Sequence, residues 1–135
     1  MEKFKFLKHT ADVKFQAFGK TLEEIFKNSV LAMSKVISDD KINEKVKKKI
    51  KIKGKDNENL LYNLLEEILF LFDSKNLIIS KAGNLKIKNK ELSAELSGDY
   101  AKNYKINMDI KAVTYNEMFI KKTKDKWIAQ VVLDV

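Results

Sequence analysis

The sequence predicts an α+β fold in which two amphipathic helices pack on a mixed, mostly antiparallel β-sheet, forming a single domain over residues 1–135. Two stretches carry apolar residues at helical spacing, and several shorter stretches alternate apolar and polar residues as strands do. The length of 135 residues, with 44% hydrophobic content, suits one hydrophobic core and not two. A sheet covered by helices buries both kinds of apolar surface in that core.

Two strands and a helix are predicted in the N-terminal third. Phenylalanines alternate with lysines over residues 4–6, and the alternation resumes over residues 13–19. A first helix is predicted over residues 21–36, because apolar residues recur there at helical intervals. Thr21 and Glu24 have the spacing of a capping box, which marks the start of this helix.

The middle of the chain predicts a lysine-rich strand followed by the central helix. In the strand, from Lys45 to Lys53, lysines crowd one face, which fits a solvated face or a sheet edge protected against pairing. The strongest helical pattern begins at Asn57. Its C-terminal half, residues 68–72, is apolar almost all round and is therefore predicted to be covered from more than one side.

The C-terminal half predicts a meander of strands. Short alternating runs are found at residues 77–79, 85–87, 92–96, 106–115 and 118–120. The last strand runs from Trp127 to the end of the chain, and both of its faces are mostly apolar. A strand of this kind belongs inside a sheet, with neighbours on both sides.

The composition excludes several kinds of site. There is no cysteine and only one histidine, so thiolate zinc sites, cysteine nucleophiles and multi-imidazole metal sites are excluded. Any metal must be held mainly by oxygen. All 27 basic residues are lysine and the formal net charge is +8, which favours sequence-blind attraction to polyanions or to an acidic protein over base-specific recognition. A merely solvated lysine surface is the alternative.

The sequence also predicts a cytoplasmic protein with no membrane association. No apolar run is long enough to cross a bilayer. The N-terminal residues, from Met1 to Lys8, lack the apolar segment of a signal peptide.

The only histidine stands in a turn between the first two predicted strands. His9, Thr10 and Asp12 bring an imidazole, a hydroxyl and a carboxylate into four residues. Such residues either cap backbone donors of a turn or hold something from outside, and the residues alone leave both interpretations open.

A second acidic position lies at the end of the chain. Asp134, on a strand buried on both faces, needs a partner, and Lys111 is one candidate. The α-carboxylate of Val135 stands next to it, and two acidic groups so close repel unless a lysine or a cation neutralises them. With Asp12 they would form an all-oxygen cluster suited to calcium or magnesium. A frayed chain end is the alternative.

Four blocks of residues and the chain ending together match a known family nearly end to end. They are Phe6-Leu7-Lys8-His9-Thr10-Ala11-Asp12-Val13, Gly19-Lys20-Thr21-Leu22-Glu23-Glu24 with Phe26, Leu60-Leu61-Tyr62-Asn63-Leu64-Leu65-Glu66-Glu67 with Leu71-Phe72-Asp73, Lys111-Ala112-Val113-Thr114-Tyr115 with Met118, and Val131-Val132-Leu133-Asp134-Val135. With these the chain resembles the archease family, small proteins that activate the RtcB-type RNA ligase in tRNA splicing. Four blocks in order together with the chain ending are more specific than one short motif.

The resemblance implies a metal site and a supporting residue. The site carries over to Asp12, Asp134 and the main-chain oxygens of Val135, and its cofactor is a divalent cation, calcium before magnesium or manganese. A functional role is also implied for Lys111. The chain departs from the family at Asn116, where many relatives carry histidine, which removes any proton transfer expected of that position.

The resemblance implies a helper and not an enzyme. Such a protein promotes transfer of a guanylyl group from GTP to the ligase's own histidine, so its partner is the RtcB-type ligase, with tRNA met indirectly or through the lysine-rich surface. Within the site, His9 and Thr10 are expected to orient the Asp12 loop. Two alternatives are a basic RNA-binding or chaperone-like module, and a metal-dependent phosphohydrolase that uses Asp12 and Asp134 with His9 as base.

Overall fold

The computed structural model of the chain describes residues 1–8 and 11–135. Its elements in chain order are β1 (Phe4–Leu7), β2 (Val13–Gly19), α1 (Leu22–Ile37), β3 (Val46–Lys53), α2 (Asn57–Lys75), β4 (Leu77–Lys88), β5 (Glu91–Tyr100), β6 (Ala112–Lys122) and β7 (Trp127–Asp134). A short 3-10 helix, Ala101–Asn103, follows β5. No helix within these described residues is long and apolar enough to span a membrane.

The strands form two sheets, with the order β1-β2-β7-β6 in the first and β3-β5-β4 in the second. Every pairing is antiparallel. The α+β prediction is confirmed, but the strands divide between two sheets because β3 pairs with β5 and not with a strand of the first. Each helix packs on both sheets: α1 contacts β2 and β4, and α2 contacts β6 and β4. Helices and sheets thus share one core.

The predicted capping box begins α1. The Glu24 N–H donates to the Thr21 hydroxyl over 3.1 Å, and the Glu24 carboxylate accepts the N–H of Lys20 over 3.0 Å. Two of the backbone donors at this end of the helix are thereby satisfied by local side chains. Apolar residues at helical spacing then turn inward, among them the fully buried Phe26 and Met33.

The second helix is central to the core, as predicted, and its C-terminal half is covered from more than one side, because Ile68, Leu69 and Leu71 are all buried, although Phe70 is exposed. Asp56 caps its start by accepting the Asn59 N–H over 2.8 Å, and the left-handed Asn76 ends it. Ile68 is fully buried, whereas the ring of Phe70 is 57% exposed. Residues two positions apart in an α-helix point in directions about 200° apart around the helix axis. A helix that packs Ile68 inward therefore directs Phe70 outward.

The predicted meander has fewer and longer strands than the runs suggested. Residues 77–79 and 85–87 belong to the single strand β4, whose pairing with β5 is interrupted by two register shifts. Residues 112–115 and 118–120 likewise belong to β6, which has a shift between Thr114 and Phe119. Bulges insert unpaired residues without ending a strand, which is why each strand shows two separate alternating runs.

The segment before β6 is not the strand that its alternation predicted. Ile106 and Met108 are 39% and 43% exposed, and only Ile110 of the three alternating residues is buried. This segment bonds to the end of α1 and to the loop after it: the Asn107 N–H donates to the carbonyl of Ile37 over 2.8 Å. Tertiary hydrogen bonds therefore replace the strand pairing that alternation would favour.

The last strand lies inside its sheet, as predicted. β7 is bonded to β2 on one side and to β6 on the other. Val131 and Val132, which point to opposite faces, are both buried. The lysine-rich β3 lies at the edge of the second sheet, and its exposed and half-buried residues alternate, in agreement with the predicted solvated edge.

Candidate functional site

The pairing of β2 with β7 brings the two predicted acidic residues to the same end of neighbouring strands. Val13 is paired with Leu133 at the end of this ladder. Asp12 and Asp134 are each the next residue beyond that pair, and both are half-buried. Asp12 and Asp134, which are more than a hundred positions apart in sequence, thus lie at the same end of two neighbouring strands in the first sheet.

The end of β7 is held in place on its other side by β6. Asp134 is paired with Ala112, and the Lys111 N–H donates to the Asp134 carbonyl over 2.7 Å. The side chain of Val135 packs against the hydrophobic core. These contacts fix the backbone around Asp134, so the chain end lacks the loose packing that makes termini fray.

The contact between Lys111 and Asp134 is made by the main chain. Within the part of the chain that the structure describes, no ion pair joins the two side chains. Lys111 is one residue out of register with Asp134, whose partner across the ladder is Ala112. The Lys111 ammonium is therefore not the charge partner of Asp134 that the sequence suggested, and its side chain is exposed.

Asp12 also lines a groove of about 600 Å³ beside this strand end. The walls come from the end of β1, the start of β2, the end of α1 and the segment before β6. The lining residues are Phe6, Leu7, Lys8, Asp12, Val13, Lys35, Val36, Asp39, Asn107 and Met108. Two lysines and two aspartates balance each other in charge, while Phe6 and Met108 leave 48% and 43% of their surface exposed.

Asp39 belongs to this groove, although no sequence pattern predicts that it lies near Asp12. It follows the end of α1, where acidic residues are common, and nothing in its local pattern indicates the neighbouring β1–β2 turn. Lys35, one turn earlier, donates to the Asp39 carbonyl over 3.3 Å. The adjacent Asp40 instead accepts the Lys105 N–H over 2.9 Å and so holds the segment that carries Met108.

A buried carboxylate anchors the loop that leads to this wall of the groove. Asp99 accepts the hydroxyl of Tyr104 over 2.7 Å and the N–H of Tyr100 over 2.8 Å. The hydroxyl bond above all, with the Tyr100 N–H and the Asn103 amide, lowers the pKa of Asp99 below its ordinary value although burial opposes this. The Tyr104 oxygen in turn accepts the Asn43 N–H over 3.0 Å.

Asp99→Asn is expected to lower stability at neutral pH and to have less effect in acid. The lowered pKa means that ionised Asp99 stabilises the fold at neutral pH, and that this stability is lost as the pH falls through the lowered pKa of the folded state. Urea unfolding of both proteins at pH 7 and pH 3 measures this. An equal difference in midpoint at the two pH values would contradict it.

Two of the predicted supporting residues, His9 and Thr10, lie outside the described residues. Asn116, the departure from the family pattern, is exposed beside the register shift of β6. Among residues 1–8 and 11–135, no group of three or more histidine, cysteine, aspartate or glutamate side chains could hold a metal ion. A site here therefore requires main-chain oxygens besides Asp12 and Asp134.

Comparison with known proteins agrees with this fold. Residues 4–135 match the model of the archease protein family (MTH1598/TM1083). The chain is 42% identical to the protein archease of Methanosarcina barkeri over 141 residues, which cover 99% of this chain and 97% of that protein. It is 35% identical to the protein archease of Sulfurisphaera tokodaii, with both chains covered completely.

Two solved structures of similar proteins have the same fold as this chain. The solution structure of protein 1598 of Methanobacterium thermoautotrophicum superposes with a TM-score of 0.83 at 31% identity, and both chains are covered completely. The crystal structure of an archease, described as a possible chaperone, from Thermotoga maritima shares the fold with a TM-score of 0.67 at 20% identity, covering 97% of this chain and 96% of that one. A family match over nearly the whole length, together with these relatives, shows that the chain belongs to the archease family.

Proposed function

We propose that this protein is an accessory activator of an RtcB-type RNA ligase in tRNA splicing, acting in the cytoplasm. It promotes guanylylation of the ligase by GTP and thereby allows repeated turnover, and it is not itself an enzyme. The observation that carries the proposal is the pairing of Val13 with Leu133, because it brings Asp12 and Asp134 to one strand end. These are the acidic residues in the two family blocks at opposite ends of the chain.

The residues at this strand end fit a hard divalent cation. Two carboxylates and the main-chain oxygens of Val135 provide oxygen donors only, which suits calcium, magnesium or manganese. Asp12, Asp134 and Val135 would hold the ion, and the contacts of Lys111 and Ala112 with Asp134 keep its backbone in position. When bound, the cation would supply positive charge that favours the approach of phosphate groups. Lys111, exposed next to this site, adds a further positive charge.

The groove beside Asp12 provides a surface for docking the ligase. Phe6 and Met108 expose apolar surface next to Asp12 and Asp39. Apolar side chains beside charged ones are typical of protein interfaces, where a few buried contacts supply most of the binding energy. In this proposal the ligase covers the groove while the acidic strand end reaches its nucleotide site.

Met108→Ser is expected to raise the concentration of this protein needed for half-maximal ligase stimulation by about tenfold, which corresponds to an interface contact of about 1.4 kcal/mol. Ile106→Ser is a matched control, because Ile106 lies two residues away, is similarly exposed and does not line the groove. Titration of each variant into a ligation assay measures the effect. Equal shifts for both variants would contradict docking at this groove.

The proposed function is tested by RNA ligation with substrate in large excess over the ligase. With this protein present, we expect the product to exceed the amount of ligase many times, and the guanylylated ligase to form faster from GTP. Without it, the product should approach one equivalent of ligase. The same yield and the same guanylylation rate in both reactions would reject the proposal. GTP turnover by this protein alone would favour the phosphohydrolase alternative.

A further inference from the structure

Lysines occupy seven of the twelve positions on the outward face of the second sheet. Because side chains alternate along a strand, the residues that share this face follow from the registers of β3, β5 and β4. Four cross-strand rows result: Lys47, Ser97 and Lys81; Lys49, Glu95 and Gly83; Lys51, Ser93 and Lys86; and Lys53, Glu91 and Lys88. We call these residues the lysine face. The opposite parity of β5, with Leu92 and Leu96, is buried against the helices.

The lysine face concentrates positive charge. Its seven lysines and two glutamates leave +5 (7 − 2), out of +8 for the whole chain. All seven lysines are exposed. The ion pairs that the glutamates form, such as Lys47 with Glu95 at 3.9 Å and Lys51 with Glu91 at 3.8 Å, are long and solvated, and pairs of this kind contribute little. The ammonium groups therefore remain available to an outside anion.

The spacing of the lysines suits a run of phosphates. Along the uninterrupted strand β3, side chains on the same face repeat about every 6.7 Å, and the columns on β3 and β4 are two strand spacings, or about 9.5 Å, apart, although β4 has a register shift between Gly83 and Lys86. The column between them carries the half-buried Ser93, whose hydroxyl can bond to a sugar hydroxyl or a phosphate, whereas Ser97 is buried. Two parallel rows of flexible ammonium groups can thus contact both backbones of a double helix.

The side chains that this face lacks indicate which nucleic acid it suits. Its rows contain no aromatic residue, and single-strand binding surfaces stack bases on aromatic rings. They contain no arginine either, so the bidentate recognition of base edges is absent. Point charges and hydroxyls without stacking groups are the means by which proteins bind double-stranded RNA through its shape and backbone.

We infer that the lysine face binds the backbone of double-stranded RNA without sequence preference. The observation that carries the inference is the placement of Lys49, Lys51, Lys86 and Lys88 on one face of the sheet, where only Lys51 has an ion pair within 4.0 Å to any other described residue. The inference does not depend on the cation site at Asp12 and Asp134, which belongs to the other sheet.

The test compares two variants of equal net charge. The face variant combines Lys49→Gln, Lys51→Gln, Lys86→Gln and Lys88→Gln. The control variant neutralises four exposed lysines elsewhere, through Lys20→Gln, Lys75→Gln, Lys102→Gln and Lys124→Gln. Both carry +4 (8 − 4). The probe is an RNA duplex of about 20 base pairs, longer than the roughly 16 that a dedicated double-strand-binding domain spans.

For the face variant we expect the dissociation constant to rise on the order of tenfold or more at moderate salt, and the slope of log affinity against log salt to fall by about 3 to 4. The control variant should change the dissociation constant less than about threefold. Asp134→Asn should bind the duplex as well as the unmodified protein does, which separates this inference from the proposed function.

Three results would overturn the inference. Equal losses in both variants would show a response to net charge alone. Unchanged duplex binding by the face variant would show that these lysines contact no RNA. Unchanged RNA binding together with lost ligase stimulation would assign the face to an acidic protein surface instead.

Discussion

Asp134→Asn is expected to lower stimulation of the ligase on the order of 100-fold while the fold is retained. The substitution keeps the size of the side chain but removes the charge that a divalent cation needs. Loss of a residue that only supports a metal ligand costs about 10- to 100-fold in metal affinity or activity, so loss of a ligand should cost at least as much. Asp12→Asn should have the same effect, because both carboxylates would hold one ion.

Multiple-turnover ligation measures this effect, and circular dichroism confirms that each variant is folded. Asp125→Asn is the matched control: it makes the same chemical change in the exposed turn between β6 and β7, at the opposite end of β7 from Asp134. It should stimulate the ligase like the unmodified protein. Full stimulation by folded Asp134→Asn would show that this carboxylate has only a structural role.

Gly98→Ala is expected to lower the free energy of unfolding by about 3 kcal/mol or more, and the Tm by roughly 10 °C. Gly98 lies within β5, where it is paired with Ile79 and Val46. A Cβ atom at this position would overlap the carbonyl oxygen of Ile78 and crowd the Cα atom of Ile79. Both are backbone atoms of the neighbouring strand, so β4 would have to move away from β5.

Gly83→Ala provides the control for this effect. Gly83 also lies in the second sheet, yet a Cβ atom added there would meet only the Glu95 carbonyl oxygen, at 3.7 Å, which is an ordinary contact. Its stability should stay within about 1 kcal/mol of the unmodified protein. Urea unfolding of both variants measures the difference. If Gly98→Ala unfolds at the same urea concentration as Gly83→Ala, the two strands β4 and β5 do not approach each other as closely at Gly98 as the structure shows.

The helices and the place of the last strand could be predicted because their signals are local. The Thr21–Glu24 capping box lies within one helical turn, and helical periodicity extends over several turns of α2. The apolar character of both faces of β7 needs only its own residues to indicate a position inside a sheet. Asp12 and Asp134 were likewise predicted from local features and the family blocks, and the register places them at one strand end.

Features that depend on contacts between distant segments could not be predicted. The division into two sheets follows from β3 pairing with β5, which no local pattern specifies. The exposure of Met108 results from hydrogen bonds to the end of α1 that override its alternation. Asp39 joins the groove of Asp12 only because the end of α1 lies beside Lys8 and Asp12. Each of these is a tertiary effect that changes what the local sequence favours.

The shared cation site of Asp12, Asp134 and Val135 is tested most directly by long-wavelength anomalous diffraction from crystals soaked in calcium. We expect a single peak between β2 and β7, about 2.3–2.6 Å from oxygens of all three residues, and its loss in crystals of Asp134→Asn. No peak at this position under saturating calcium, or a peak that persists in Asp134→Asn, would contradict the site.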